Sequence, residues 1–317
     1  MKIFVTGSSG FIGAAVVKAL IDKRFSVIAA NRKWSDSLNV AVSQIFYDLE
    51  DLSTISNIDF TGVDCVIHCA AYSHYNDRCN YDDFIRVNRD ASIELARVSA
   101  KQGVKRFIFL SSVKVNGEST LDGLSFTPSD RSNPHDVYAR SKYEAEIGLL
   151  KISRNSDLEI VIIRIPLVYG PGVKGNFLSI VNLIKKGVPL PFLNIHNKRS
   201  FLALDNLIDF LVLCIDATRS RYAANQIFLC SDGENISTGT LIKRIAKVYG
   251  IKKPRLFNFP VFILKLLLFL SGKKTISDRL TKNLSIDITK NSTLLDWQPV
   301  TSMDEQLTKM IRANESI

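Results

Sequence analysis

The sequence predicts an α/β fold, a doubly wound parallel sheet with a smaller carboxy-terminal lobe, on three observations. Short β-branched runs alternate with helical stretches through the first half, those runs are apolar nearly throughout, and the first of them ends in a glycine-rich turn. Alternating strand and helix generates parallel strands joined by crossover helices. Strands without a polar face are those buried on both sides.

The elements follow in order. A strand at Lys2–Thr6 leads through Gly7-Ser8-Ser9-Gly10-Phe11-Ile12-Gly13 into a helix starting at Phe11. Strands are expected at 26–30, 44–47 and 65–69, a long helix at 83–102, a strand at 106–110, a helix from Val137 and a strand at 159–165. The texture then changes, because Pro166, Pro171, Pro189 and Pro191, with glycines at 170, 172, 175 and 187, interrupt the alternation. One domain is therefore placed at 1–165 and a second, mainly ligand-binding lobe at 166–317. Within the latter, 199–214 reads as a short strand and a helix and 226–230 as a strand, so part of 199–230 is expected to return to the first domain. A last helix starts at Met303.

Composition narrows the function classes. The chain has 317 residues, 46% hydrophobic and 23% charged, as an ordinary globular enzyme does. Its formal net charge of +10 fits nucleic acid, an anionic membrane or an anionic small substrate equally well. No basic run or aromatic-interleaved basic stripe supports a nucleic-acid partner. The cysteines at 65, 69, 79, 214 and 230 are odd in number and lack paired metal spacing, so no metal site is expected. Cys65, Cys69 and His68 sit in an apolar strand, where they read as buried core. The first residues already read as a strand rather than a leader, which implies a reducing, cytoplasmic compartment. The apolar run Val261–Leu270 contains Lys265 and is half the length of a spanning helix. It leaves room only for core or subunit packing or a peripheral membrane contact.

The glycine turn carries the first chemistry. Gly7, Gly10 and Gly13 directly after a strand and at a helix start let a pyrophosphate approach the helix amino end, the dinucleotide cradle of a Rossmann-type domain. Phe11 and Ile12 lie in that cradle but read as helix core. At the end of the second strand an acid would select a ribose hydroxyl; Asn31-Arg32-Lys33 offers none, and Arg32 suits a 2′-phosphate. The turn therefore favours NADP(H), with NAD(H) as the alternative. Asp48 and Leu49, after the third strand, are placed to hold the adenine.

Tyr138-Ala139-Arg140-Ser141-Lys142 sets a phenol and an ammonium on one helical face. The spacing alone is weak, since Tyr249 and Lys253 repeat it. Position separates them: Tyr138 opens the helix after the strand that ends in Ser111 and Ser112, and ligands bind at strand carboxyl ends in such folds. Hydride removal from a carbinol requires its hydroxyl proton to leave as well. A phenol near pKa 10 serves as the base only if a cation favours phenolate, the part read for Lys142. Ser112 would hydrogen-bond the reacting oxygen. In the reductive direction Tyr138 supplies the proton.

With these residues the sequence resembles the extended short-chain dehydrogenases, in particular the NAD-dependent epimerase/dehydratase family acting on sugar nucleotides. The resemblance rests on Gly7, Gly10 and Gly13, on Phe107 to Ser112, on Tyr138 and Lys142, and on Arg164 to Pro171. It continues through Asn176, Arg199, Asp205-Asn206-Leu207, Asp287 to Lys290 and Leu295-Asp296-Trp297. It implies that Asn88, Cys69, Ala70, Ala71 and Pro166 line the cofactor. It also implies that Asn176 and Arg199, with Arg279 as a weaker candidate, hold the nucleotide diphosphate, and that the enzyme is a homodimer through the helices at 83–102 and 137–153. Three positions depart from the pattern: Asn31 replaces an acid, Leu167 an asparagine, and Asn116 a tyrosine. Val113-Lys114 lacks the Asp-Glu pair of the family's 4,6-dehydratases. The nearer likeness, carried by 109–118 and 231–238, is to bacterial polysaccharide enzymes handling UDP-N-acetylamino sugars. The expectation is a 4-reductase of a UDP-4-keto-6-deoxy-N-acetylhexosamine, of the UDP-N-acetylquinovosamine type. Two alternatives stand beside it: a UDP-glucose or UDP-N-acetylglucosamine 4-epimerase with retained NAD, and a non-catalytic dinucleotide-binding protein.

Overall fold

The computed structural model describes residues 1–34, 42–73, 81–272 and 274–315. The first half runs β1 (Lys2–Thr6), α1 (Phe11–Asp22), β2 (Ser26–Asn31), β3 (Ser43–Phe46), α2 (Leu52–Ser56) and β4 (Cys65–His68). The helix expected at 83–102 is α3 (Tyr81–Phe84), a π-helical turn (Ile85–Asp90) and α4 (Ala91–Lys101). Then come β5 (Arg106–Ser112), α5 (Val137–Ser153) and β6 (Glu159–Ile165). The second half contains β7 (Val168–Tyr169), α6 (Gly175–Lys185), β8 (Arg199–Ser200), β9 (Leu202–Ala203), α7 (Leu204–Ile215) and β10 (Gln226–Leu229). It ends with β11 (Asn235–Ile236), α8 (Thr238–Val248), α9 (Val261–Leu270), α10 (Lys274–Thr281), α11 (Thr289–Leu295) and α12 (Met303–Glu315). Cys79 lies outside the described residues.

Among the described residues seven strands form one parallel sheet in the order β10-β6-β5-β4-β1-β2-β3. The order reverses between β1 and β4, and that switch point opens a crevice at the strand carboxyl ends. Alternate residues serve opposite faces. Ile3, Val5, Ile67, Ile108 and Val161 pack with α1 and α7 on one side, and Phe4, Val66, Phe107, Phe109 and Ile160 pack with the α4 and α5 layer on the other. A separate core in the second half joins Tyr169, Phe177 and Val181 to Leu241, Ile245, Met303 and Leu307. The motif residue Asn206 ties this half together: its Oδ1 accepts from Val300 and Thr301 amides, and its Nδ2 donates to Asp232. His68 is a satisfied core histidine between the Thr6 and Ser92 hydroxyls, at 2.7 and 2.8 Å. Among the described residues no helix is long and apolar enough to cross a membrane.

Candidate active site

The strand ends frame a cleft of about 1080 Å³. The turn after β1 forms one wall. Gly7 has φ +65°, and a Cβ there would stand 2.9 Å from the Ala70 backbone; one on Gly13 would stand 2.1 Å from the Gly7 carbonyl. Only glycine closes this turn. Gly10 starts α1 without a side-chain cap, so the first amides of the helix keep their donors for an anion. Asn31 Oδ1 accepts from Ser8 Oγ at 2.7 Å and the Ser9 amide at 2.8 Å, while its buried Nδ2 finds no protein partner among the described residues. A cradle that a methyl group would fill, at a helix start whose first amides are uncapped by a side chain, fits a dinucleotide. Phe11, Ile12, Asp48, Leu49, Cys69, Ala70, Ala71 and Pro166 also line the cleft.

Arg32 lines it too, but not as an isolated cation. Its Nη1 lies 3.4 Å from Glu50, which Tyr72 hydrogen-bonds and Arg86 approaches at 4.0 Å. A carboxylate beside Arg32 competes with a 2′-phosphate for its guanidinium, which weakens the basis for preferring NADP(H). Glu50 lies four residues beyond β3, and no local pattern ties it to Arg32.

The catalytic candidates come together on β5 and α5. Asp136 caps α5 by accepting from the Ala139 amide at 2.7 Å, and Lys114 binds both Asp136 and Glu118. The loop after Ser112 is thereby tied to the start of the helix, which sets Tyr138 in its first turn opposite Ser112. Lys142 is 2% exposed; its Nζ donates to the Leu110 carbonyl at 2.8 Å and sits 4.3 Å from the Phe109 ring centre. Tyr249 and Lys253 form no such arrangement: Tyr249 ends α8, the chain turns at Gly250, and Lys253 is exposed.

Burial, then Asp136, pushes the Tyr138 phenol up to about 12, with the Ser112 hydroxyl acting the other way. Burial lowers Lys142 itself to about 7, against the pull of Glu146 and Cys69. In the ligand-free site burial thus favours the neutral form of both groups, with Glu146 opposing it at Lys142. Unfolding returns Lys142 from about 7 to 10.5. Between these values the unfolded chain binds a proton that the folded chain does not, so this group's contribution to stability rises with pH. Thermal unfolding of ligand-free protein is expected to gain on the Lys142→Met variant as pH rises from about 7 toward 9. A constant difference between the two would refute the shift.

Beneath Lys142 lies a pair that the sequence pattern did not single out as part of the site. Glu146, one turn further along α5, binds Arg164 of β6 at 3.0 and 2.6 Å, and both are about 2% exposed. Arg164 also donates to Asn116 Oδ1 at 2.9 Å, and Ser111 donates to Glu146. Two signals were available: the four-residue step from Lys142 to Glu146, and a lone arginine within an apolar strand.

The diphosphate candidates separate. Asn176, at the start of α6, and Arg279 line the cleft. Arg199 is not on that lining: it is half-buried beside Arg279, with Nη1 on the Lys282 carbonyl at 3.2 Å, and burial and Arg279 lower its pKa. Asn88 is also off the wall. Its amide bonds both backbone groups of Tyr72 at 2.8 and 3.0 Å and Ser141 Oγ at 3.0 Å, so it braces the segment after β4 against α5 rather than facing a cofactor. Leu167 takes the cleft position that the resemblance gives to asparagine and is 40% exposed.

Comparison with known proteins agrees with this geometry. Residues 3–228 match the NAD dependent epimerase/dehydratase family. The chain is 39% identical over 314 residues to a UDP-glucose 4-epimerase of Vibrio cholerae, covering 96% of this chain and 92% of that one. Its fold is similar to that of UDP-glucose 4-epimerase from Thermotoga maritima, solved with UDP-glucose, at TM-score 0.79, 23% identity and coverage of 100% and 99%. It is equally similar to UDP-glucuronic acid 4-epimerase from Bacillus cereus, solved with NAD, at TM-score 0.79, 22% identity and coverage of 100% and 99%. With its sheet order, its glycine cradle and the Ser112, Tyr138 and Lys142 cluster, the chain is an enzyme of the NAD-dependent epimerase/dehydratase family, within the extended short-chain dehydrogenases.

Proposed function

We propose that this enzyme transfers hydride at carbon 4 of a UDP-linked sugar and that its substrate is a UDP-4-keto-6-deoxy-N-acetylhexosamine, which it reduces for surface polysaccharide synthesis. The observation that carries hydride transfer is the meeting of Ser112, Tyr138 and Lys142 in the cleft beside the glycine cradle, with Tyr138 a phenol that burial keeps protonated. Proton delivery to a developing alkoxide needs such a donor. The cluster serves both directions, and the reductive one rests on the resemblance to polysaccharide 4-reductases. Leu167 supports a deoxy sugar, since its exposed apolar side chain gives the cleft a wall that a methyl group contacts without leaving a hydroxyl unpaired.

In this reading Gly7, Gly10, Gly13, Asn31, Asp48, Leu49 and the strand end at 69–71 hold the dinucleotide. A bound nicotinamide supplies the hydride. Tyr138 gives its proton to the C4 oxygen, Ser112 hydrogen-bonds that oxygen, and Lys142 supplies positive charge beneath the phenol as it loses the proton. Asn176 and Arg279 hold the diphosphate from the 166–317 lobe, with Arg199 behind Arg279. We take the dinucleotide to be NAD(H), on the Arg32 and Glu50 pairing and on the NAD held by solved relatives. Buried free thiols at Cys65, Cys214 and Cys230 fit a reducing cytoplasm. The homodimer implied by the resemblance belongs to the same reading, through the outer faces of α4 and α5.

A second reading, 4-epimerisation of UDP-glucose or UDP-N-acetylglucosamine with NAD retained, is favoured by the identity to the Vibrio cholerae enzyme. Both readings share one half-step, so the assay must vary the substrate. Purified enzyme is expected to consume NADH with the 4-keto-6-deoxy sugar and to leave UDP-N-acetylglucosamine unchanged. Conversion of UDP-glucose or UDP-N-acetylglucosamine to its galacto epimer without added cofactor would replace the reductase by the epimerase.

A further inference from the structure

The least expected surface is α9. Of its ten residues only Leu264 is buried. Phe262, Leu266, Phe269 and Leu270 are 71, 53, 59 and 72% exposed. Their spacing sets them on one side of the helix, as an unbroken apolar ridge. A globular enzyme does not ordinarily present such a stripe to water.

The charge around the ridge says what covers it. From Lys252 to Lys274, the stretch that contains α9, the sequence holds six Lys and Arg residues and no Asp or Glu. Lys252, Lys253 and Arg255, just before α9, and Lys265 within it are exposed. Apolar side chains rimmed by basic ones are complementary to acyl chains beneath anionic headgroups. A second copy of the chain fits less well. A two-fold contact along α9 would set the same lysines against their own copies, and a helix of about 15 Å covers too little area for a stable dimer.

We propose that α9 docks this enzyme on the surface of an anionic lipid bilayer, the apolar ridge inserted among the acyl chains and Lys252, Lys253, Arg255 and Lys265 on the headgroups. The helix is too short to span, so the attachment is peripheral and reversible. Because α9 packs against α10, which carries Arg279 to the cleft, docking holds this side of the active site next to the membrane.

Co-sedimentation of the full chain with phosphatidylcholine vesicles, with and without phosphatidylglycerol, tests the proposal. The chain is expected to pellet only with the anionic vesicles, and less as salt rises. Phe262→Glu combined with Leu266→Glu is expected to lower the bound fraction at least about tenfold. Lys252→Glu with Lys253→Glu is expected to lower it as well, and both double variants should keep the wild-type circular dichroism spectrum. Absence of pelleting with anionic vesicles, or pelleting that neither variant weakens, overturns the proposal. So does a dimer in light scattering that Phe262→Glu with Leu266→Glu abolishes while no vesicles bind, since the ridge then covers a second copy.

Discussion

Tyr138→Phe is expected to lower kcat by about 10²- to 10⁴-fold, the usual size of a positioned proton donor's contribution. The change removes one oxygen and leaves the ring that fills the first turn of α5. Its neighbours, the capping Asp136 and the buried Lys142, keep their backbone contacts. Dinucleotide affinity and unfolding temperature should therefore stay close to wild type, because the glycine cradle lies on a different element. Steady-state turnover and a fluorescence titration with NADH make the comparison. A variant within tenfold of wild-type kcat would remove Tyr138 from the chemistry, whichever sugar is reduced.

Glu146 is expected to produce the largest stability effect in the molecule. Glu146→Ala strands the Arg164 guanidinium in the interior, where breaking a buried pair costs about 3–5 kcal/mol. Arg164 would keep only Asn116 and Ser132, at 2.9 and 3.3 Å. Thermal unfolding should show the loss, and a variant as stable as wild type would mean that water reaches the guanidinium. Glu146→Gln isolates the electrostatic part. The carboxylate is the largest influence that holds the Lys142 pKa up against burial. Without its charge Lys142 should lose its proton at lower pH, and the alkaline limb of the kcat profile should move toward acid. A merely architectural role for Glu146 would leave that limb in place.

The residues legible in the sequence are those whose role is local. Gly7, Gly10 and Gly13 declare themselves because a strand, a tight turn and a helix start adjoin in the chain. Tyr138 and Lys142 become readable once the strand ending in Ser112 is placed, since the connection from β5 to α5 brings them back to that strand end. What stayed illegible depends on partners far away in sequence. Arg32 reads as a free cation until Glu50 arrives beside it. Arg199 reads as a phosphate ligand, but its place beside Arg279 and on the Lys282 carbonyl is set by a segment about 80 residues later. Asn88 reads as lining until Tyr72 and Ser141 use up its amide. The pKa of Lys142 has the same origin, because burial by residues from several elements outweighs the charges along its own helix. The ridge on α9 was legible as an apolar run, but its exposure follows only from how the second half packs.

One consequence of the sheet order concerns synthesis rather than catalysis. β10 pairs with β6, yet the chain makes β7, α6 and α7 in between. While the ribosome works through that stretch, β6 presents a bare row of amides and carbonyls along a sheet already apolar on both faces, the kind of edge that recruits other chains. The closing strand is thus also the last safeguard against aggregation, and it arrives late because its contacts join distant parts of the sequence. A nascent chain paused between α7 and β10 would be the form most dependent on chaperones, although every residue discussed for the chemistry except Arg279 has already been made.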